Sequence, residues 1–185
     1  MELTGPRLRL RPWREADRAP FAALNADPGV MRYFAAPLNR AESDAFLDRL
    51  QARIAAEGWG FWCVERHAQP GCIGMVGLQP IPWDAPFTPA VEIGWRIATA
   101  AQRQGYAAEA AQLALAAGFG PLGLAAILAF TVPANAPSWR LMEKLGMTPA
   151  GHFAHPRLPA GHPLSVHALY RLQRADWLRG AGAAG

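Results

Sequence analysis

The stretch that most constrains the fold of this chain runs from Val91 to Phe119, VEIGWRIATAAQRQGYAAEAAQLALAAGF. Val91–Ile97 is rich in β-branched and aromatic residues and predicts a strand. Ala98–Gly105 is a polar connection ending in glycine. Tyr106–Phe119 carries Ala107, Ala110, Ala114 and Ala117 on one helical face, with Leu113 beside it. The side chains around Gly105 are small or absent, so an anion can approach the backbone there. The first N–H groups of a helix have no partner within it, and the helix dipole adds partial positive charge. Gly105 can take a positive φ, and Arg103 adds a full charge. The junction therefore predicts a strand–loop–helix that cradles a phosphate or pyrophosphate.

The cradle is neither of two common ones. No lysine followed by serine or threonine comes after the glycine, and one glycine stands where a dinucleotide fingerprint needs three. Gln102, Gly105 and Ala107 match Q/R-x-x-G-x-G/A, and the stretch resembles the acetyl-coenzyme A signature of the GNAT N-acetyltransferases. The preceding strand and the following Glu109 strengthen that likeness.

The length of 185 residues suits one domain, expected over residues 5–177, with a flexible tail at 178–185. Hydrophobic residues at 51% and charged residues at 17% argue against disorder. No apolar run reaches the roughly 18 residues of a membrane span. The opening MELTGPRLRL lacks an apolar signal core, so a cytoplasmic location is expected. Cys63 and Cys72 make no disulfide framework and are expected as buried free thiols. The net charge of +4 is modest and scattered, and Lys144 is the only lysine. This suits a polyanionic cofactor or an acidic surface and lacks the stripe of a nucleic-acid binder.

Upstream, Arg7–Arg11 alternates charged and apolar residues, as a half-buried strand does. Asp17 is expected to cap a helix over Arg18–Ala26, which Asp27-Pro28-Gly29 stops. Asn39 and Glu42 stand at capping-box spacing before a second helix, whose apolar face is Phe46, Leu47, Leu50 and Ile54 and whose end is Gly58. Met31, Tyr33 and Phe34 lie in the connection Gly29–Leu38, as pocket residues or as packing anchors. Gly60–Glu65 and Cys72–Leu78 predict an antiparallel pair, with Gly74 and Gly77 marking a bulge or a close neighbouring backbone. The proline-rich Gln79–Pro89 carries Trp83 and Phe87, either near the active end or as a surface hairpin loop.

Downstream, Ala125–Val132 predicts a buried strand. Pro137 suits the start of a short helix, and Gly146 its left-handed end. Met147–Phe153 and Leu164–Leu172 predict a closing strand pair. The four histidines around its loop, His152, His155, His162 and His167, lack metal-ligand spacing, so no metal site is expected.

Asn135, Ser138, Lys144, Gly146 and Met147 match N-x-x-S-x-x-x-x-x-k-x-G-f/m, which resembles a second block of the same family. The opening RLRLRPWREAD…NADPGVMRYF resembles the RimJ/RimL-like branch, which acetylates N-terminal amines of ribosomal proteins. The resemblance implies an α/β (α+β) fold: a mixed, mostly antiparallel sheet of about seven strands, splayed at its centre and flanked by about four helices. It implies acetyl-coenzyme A as cosubstrate, its pantetheine arm pairing with the backbone of Trp95, Arg96 and Ile97. The pyrophosphate would meet Gln102, Arg103, Gln104, Gly105, Tyr106, Ala107 and Ala108, and Asn135, Ser138 and Lys144 would contact the remainder. The acceptor would be a primary amine on a protein N-terminus or a small molecule, with an aminoglycoside open as an alternative and the chain a monomer or homodimer without nucleic-acid or membrane partner.

Acyl transfer needs a proton acceptor, donors for an oxyanion, and a group for the leaving thiolate. Glu92 is the candidate base, or else an ion-paired strand-end glutamate. Many relatives place a tyrosine in the helix after the asparagine. This chain has none there, and Ser138 is left as donor to the sulfur or as a helix cap. That departure leaves open a second reading, a non-catalytic acyl-coenzyme A-binding module.

Overall fold

The computed structural model describes residues 1–182. Eight strands form a sheet in the order β1-β2-β3-β4-β5-β6-β8-β7. They are β1 (Leu3–Thr4), β2 (Leu8–Arg11), β3 (Phe61–Arg66), β4 (Cys72–Pro80), β5 (Val91–Ile97), β6 (Ala126–Thr131), β7 (Thr148–Ala154) and β8 (Val166–Gln173). Six helices accompany them: α1 (Arg18–Ala26), α2 (Pro28–Met31), α3 (Arg40–Glu57), α4 (Tyr106–Phe119), α5 (Ala136–Lys144) and α6 (Arg174–Gly182). The pairs β1–β2, β2–β3, β3–β4, β6–β8 and β7–β8 are antiparallel. β5 and β6 run parallel, with Glu92 opposite Leu128.

The mixed, mostly antiparallel architecture is the one the sequence pointed to, with three additional elements. β1 has two residues and α2 four, too short for a periodicity to register. α6 follows β8 directly, without an intervening turn signal. The stretch expected as a tail from residue 178 therefore continues this helix to Gly182, and residues 183–185 lie outside the described residues.

Contacts divide the chain into two compact units, Met1–Leu78 with Gly94–Ala114, and Gln79–Ile93 with Leu115–Gly185. In the first unit α1 and α3 lay Phe21, Leu24, Leu47 and Leu50 into a buried core with Leu8, Leu10, Trp62 and Val64 from β2 and β3. The capping box of α3 forms as its spacing predicts: Glu42 N–H donates to Asn39 Oδ1 at 2.9 Å and Asn39 N–H to Glu42 Oε2 at 2.8 Å. Gly77 answers a close approach, because a Cβ there would lie 2.1 Å from the carbonyl oxygen of Gly60.

One cap differs from expectation. Asp17 does not cap α1 with its side chain. Its carboxylate accepts from Arg11 Nη1 at 2.7 Å and Nη2 at 2.9 Å, and from Arg14 N–H at 2.8 Å. A buried guanidinium is a stronger partner than the exposed amide of a helix end. Glu65 takes the rest of Arg11, at 2.9 Å from Nε and 2.7 Å from Nη2, so the first unit contains an ion network whose three members are each at most 3% exposed. The thiols of Cys63 and Cys72 are free, Cys63 buried and Cys72 half-buried. They lie within 4.8 Å of each other and of an Asp17 oxygen. The hydrogen bond with Cys72 and burial push the Cys63 thiol up, so it stays protonated.

In the second unit Ile81, Leu128 and Leu169 form a buried cluster, with Trp83, Phe87, Phe130 and Phe153 packed against it. Trp177 of α6 stacks against Phe119, ring centroids 5.8 Å apart. Gly146 takes φ +83° at the end of α5, and Met147 N–H returns to Met142 O at 3.0 Å, the expected left-handed stop.

Candidate active site

The run from β5 into α4 forms as the sequence predicts, with a short turn over Thr99–Ala101 and its loop in the first unit. Two consecutive features open the loop toward a ligand. Arg103 takes φ +60°, unusual for a residue with a side chain, and Gly105 takes φ +82°. Among the described residues, none of the six amides from Arg103 to Ala108 has an acceptor; the first that does is Glu109, which donates to Gly105 O at 3.1 Å. Residues 102–105 are exposed. Unpartnered amides around positive-φ residues at a helix N-terminus make a concave anion site.

The side chains here brace the loop. Gln102 Nε2 donates to Ile97 O at 2.9 Å, and Gln104 Nε2 to Ala100 O at 3.0 Å. Those two side-chain amides are therefore engaged; the Gln102 backbone N–H also donates, to Thr99 O at 3.2 Å, so of the two only Gln104 offers a ligand its backbone N–H. Arg7 is the residue that sequence reasoning missed. Its Nε donates to Glu109 Oε2 at 2.7 Å, its Nη1 to Gln104 O at 3.0 Å, and its guanidinium lies 4.8 Å from the Tyr106 ring centroid. A Cβ on Gly105 would come within 3.3 Å of Arg7 Nη2, so the glycine leaves room beside a cation. The alternation of Arg7–Arg11 showed a strand and no more; nothing local points 97 positions ahead to Gln104.

Farther back on β5 stands Arg96, half-buried, with Nη1 donating to Asn25 Oδ1 at 2.8 Å. Trp95 is half-buried and Ile97 buried.

In the second unit Glu92 is half-buried, and Gln79 Nε2 donates to its Oε1 at 2.6 Å. Burial pushes its carboxyl up to about 7, against the opposing effects of the Gln79 hydrogen bond and the Arg157 charge. Among the described residues Glu92 has no salt bridge, so it is not the ion-paired glutamate of the alternative reading. Gln79 was expected in the loop after β4. The strand runs two residues longer, and that extension places the amide on the carboxylate.

Asn135 Nδ2 donates to Thr131 Oγ1 at 2.9 Å, tying the start of α5 to the end of β6. Ser138 is the third residue of α5, half-buried, and its hydroxyl has no partner among the described residues, so it does not cap the helix. Lys144 ends the same helix and is exposed. Nine residues at 1.5 Å rise separate it from Asn135 by about 13 Å, so the two do not converge. Trp83 and Phe87 face inward. Trp83 lies 5.6 Å from Phe153, 5.8 Å from Phe130 and 5.2 Å from His155 between ring centroids. His155 and His167 stack at 4.9 Å, and burial pushes His155 down to about 4 and His167 below its ordinary value, so both are neutral at pH 7. No helix of the described residues is long and apolar enough to cross a membrane.

Residues 7–148 match the family described as acetyltransferase (GNAT) domain. A Bacillus subtilis relative, the uncharacterized protein YkkB, is 28% identical over 167 residues, 90% of this chain and 94% of its own length. The crystal structure of a GNAT-family acetyltransferase from Bacillus anthracis superposes with a TM-score of 0.79 at 26% identity, covering 95% of this chain and 99% of that one. Mycobacterium smegmatis RimJ, solved in complex with CoA-disulfide, shares the fold with a TM-score of 0.74 at 20% identity, covering 98% and 95% of the two chains. With the family match spanning most of its length, the chain belongs to the GNAT acetyltransferases and is an acyltransferase.

Proposed function

We propose that this enzyme moves an acetyl group from acetyl-coenzyme A to a primary amine, on a protein N-terminus or a small molecule, by direct attack, within a single domain over residues 5–177. The reading rests above all on the six amides from Arg103 to Ala108 that have no acceptor among the described residues, enough in number for a pyrophosphate. The glycine at φ +82° and the cation of Arg7 beside it fit the same group. RimJ of M. smegmatis, similar in fold, was solved with a coenzyme A derivative.

Acetyl-coenzyme A supplies a thioester carbonyl for the amine to attack and a thiolate leaving group. The chain's own residues divide the remaining tasks. Arg103 to Ala108 hold the diphosphate, and the backbone of Trp95 to Ile97 pairs with the pantetheine arm. Asn135 and the first turn of α5 contact the rest. Glu92 takes the proton of the attacking amine; a carboxyl near 7 is half ionised at neutral pH and strong enough as a base. The Ser138 hydroxyl donates to the departing sulfur.

Thermal unfolding with acetyl-coenzyme A tests the cradle. At a hundredfold excess over Kd the fold gains about 2.7 kcal/mol, a shift of roughly 5–10 °C for a chain of this size. No shift at millimolar concentration sinks the reading.

A further inference from the structure

Arg96 is out of keeping with its surroundings. Its guanidinium lies 4.1 Å from the Phe34 ring centroid and 5.5 Å from that of Phe46. Asn25, fully buried and itself bonded to Ser43 Oγ at 3.0 Å, holds Nη1. The fork is thus positioned by two aromatic faces and one fixed amide oxygen. Yet among the described residues no carboxylate lies within salt-bridge distance of it. The acidic groups on the neighbouring helical segment are engaged elsewhere: Asp27 with Thr99 Oγ1 and Gly29 N–H, Asp44 with Arg40, Asp48 with Arg18, and Glu42 in the cap of α3. Burial alone pushes Arg96 down, to about 10, with no nearby charge offsetting it. Buried cations are ordinarily paired, because desolvation is costly without a counter-charge. A guanidinium held in place with its Nε and Nη2 edge free has the geometry for bidentate recognition of a carboxylate.

We propose that Arg96 docks a carboxylate carried by the amine acceptor, so that the acceptor is an amino acid or an acidic peptide N-terminus and not a polycation. The proposal rests on the acetyltransferase reading. The phosphates of the cosubstrate have their own donors at the start of α4 and the cation of Arg7, whereas Arg96 points among α1, α3 and the connection after α2. Phe34, whose ring lies on the guanidinium, belongs to the connection 29–38 that the sequence offered as pocket lining. Phe34, 39% exposed, covers the guanidinium and shields the ion pair from water.

The test is a panel of amines in matched pairs. Free amino acids are set against their α-amides, and peptides beginning with aspartate or glutamate against those beginning with asparagine or glutamine. The wild-type enzyme is expected to prefer the carboxylate member of one series by about tenfold or more in kcat/KM. Arg96→Gln should abolish that preference through the KM of the acceptor, and Phe34→Ala should leave the KM of acetyl-coenzyme A and its thermal shift unchanged. Phe34→Ala, at an exposed ring, should raise KM for the carboxylate member alone and serves if Arg96→Gln does not fold. The proposal is overturned if the wild type shows no preference or turns over no member, or if the variants retain the preference. It is also overturned if Arg96→Gln weakens acetyl-coenzyme A instead, which would assign the cation to the cosubstrate. Absence of any acetyl-coenzyme A shift in the wild type is a different result and overturns the acetyltransferase reading beneath it.

Discussion

At the scale of single residues, the proposed function is tested at two positions. Glu92 combines desolvation with one neutral hydrogen bond, which raises its carboxyl without neutralising it. Because the basic form is the ionised one, kcat/KM should rise with pH through about 7 and level off above it. Glu92→Gln should lower turnover by about a hundredfold or more, abolish that limb of the profile, and leave the acetyl-coenzyme A shift intact. Unchanged turnover with every amine would remove Glu92 from the mechanism. Gly105 is the second position. At φ +82° a β-branched residue is strained, and its Cβ would crowd Arg7 Nη2 at 3.3 Å. Gly105→Val should therefore cost about 1–2 kcal/mol of stability. It should also weaken acetyl-coenzyme A by at least about tenfold in titration calorimetry, since it fills the approach to the amides.

At the scale of elements, the buried network of Arg11, Asp17 and Glu65 joins β2, β3 and the turn before α1. Removing its cation leaves two carboxylates that are 3% exposed with only Arg9 on Glu65 and the Arg14 N–H on Asp17. Arg11→Ala should destabilise the fold by about 3 kcal/mol or more in urea unfolding. The hydrogen bonds from Arg11, and then those from Arg9, hold Glu65 at about 2, below its ordinary 4.5. The folded value is the lower one, so the stabilisation is complete above about 4.5 and is lost as pH falls toward 2. The deficit of Arg11→Ala relative to wild type should accordingly shrink when unfolding is measured at pH 3. An equal deficit at both pH values would show that lost packing, and not charge, sets the cost.

At the scale of the whole molecule, the division between the two units passes through β4, β5 and α4, each a continuous element. Separate unfolding of either unit would break hydrogen bonds within all three elements, and we propose that the chain unfolds as one cooperative domain. Calorimetry should show a single transition whose van't Hoff and calorimetric enthalpies agree; two separated transitions would divide the chain into independent domains.

What could be read from the sequence follows the same scales. β5, α4 and α1 were legible to the residue because each has its own periodicity and its own start or stop: Gly105 before α4, Asp27-Pro28 after α1. α3 was legible from Asn39 and Glu42 together. β1, α2 and α6 were not, because two to four residues hold no period and α6 begins without a break from β8. The turn before α4 was legible because consecutive residues supply its backbone conformation, with Gly105 at φ +82°. By itself, then, the sequence determined all but three of the elements, the glycine turn before α4 and the family. The tertiary structure alone decided which side chains complete them: Arg7 on Gln104 and Glu109, Arg96 on Asn25, and Gln79 on Glu92. Periodicity sets the buried face of an element, but it carries no information about which element lies against that face. Contacts between residues 71 or 102 positions apart are set only when the chain closes on itself.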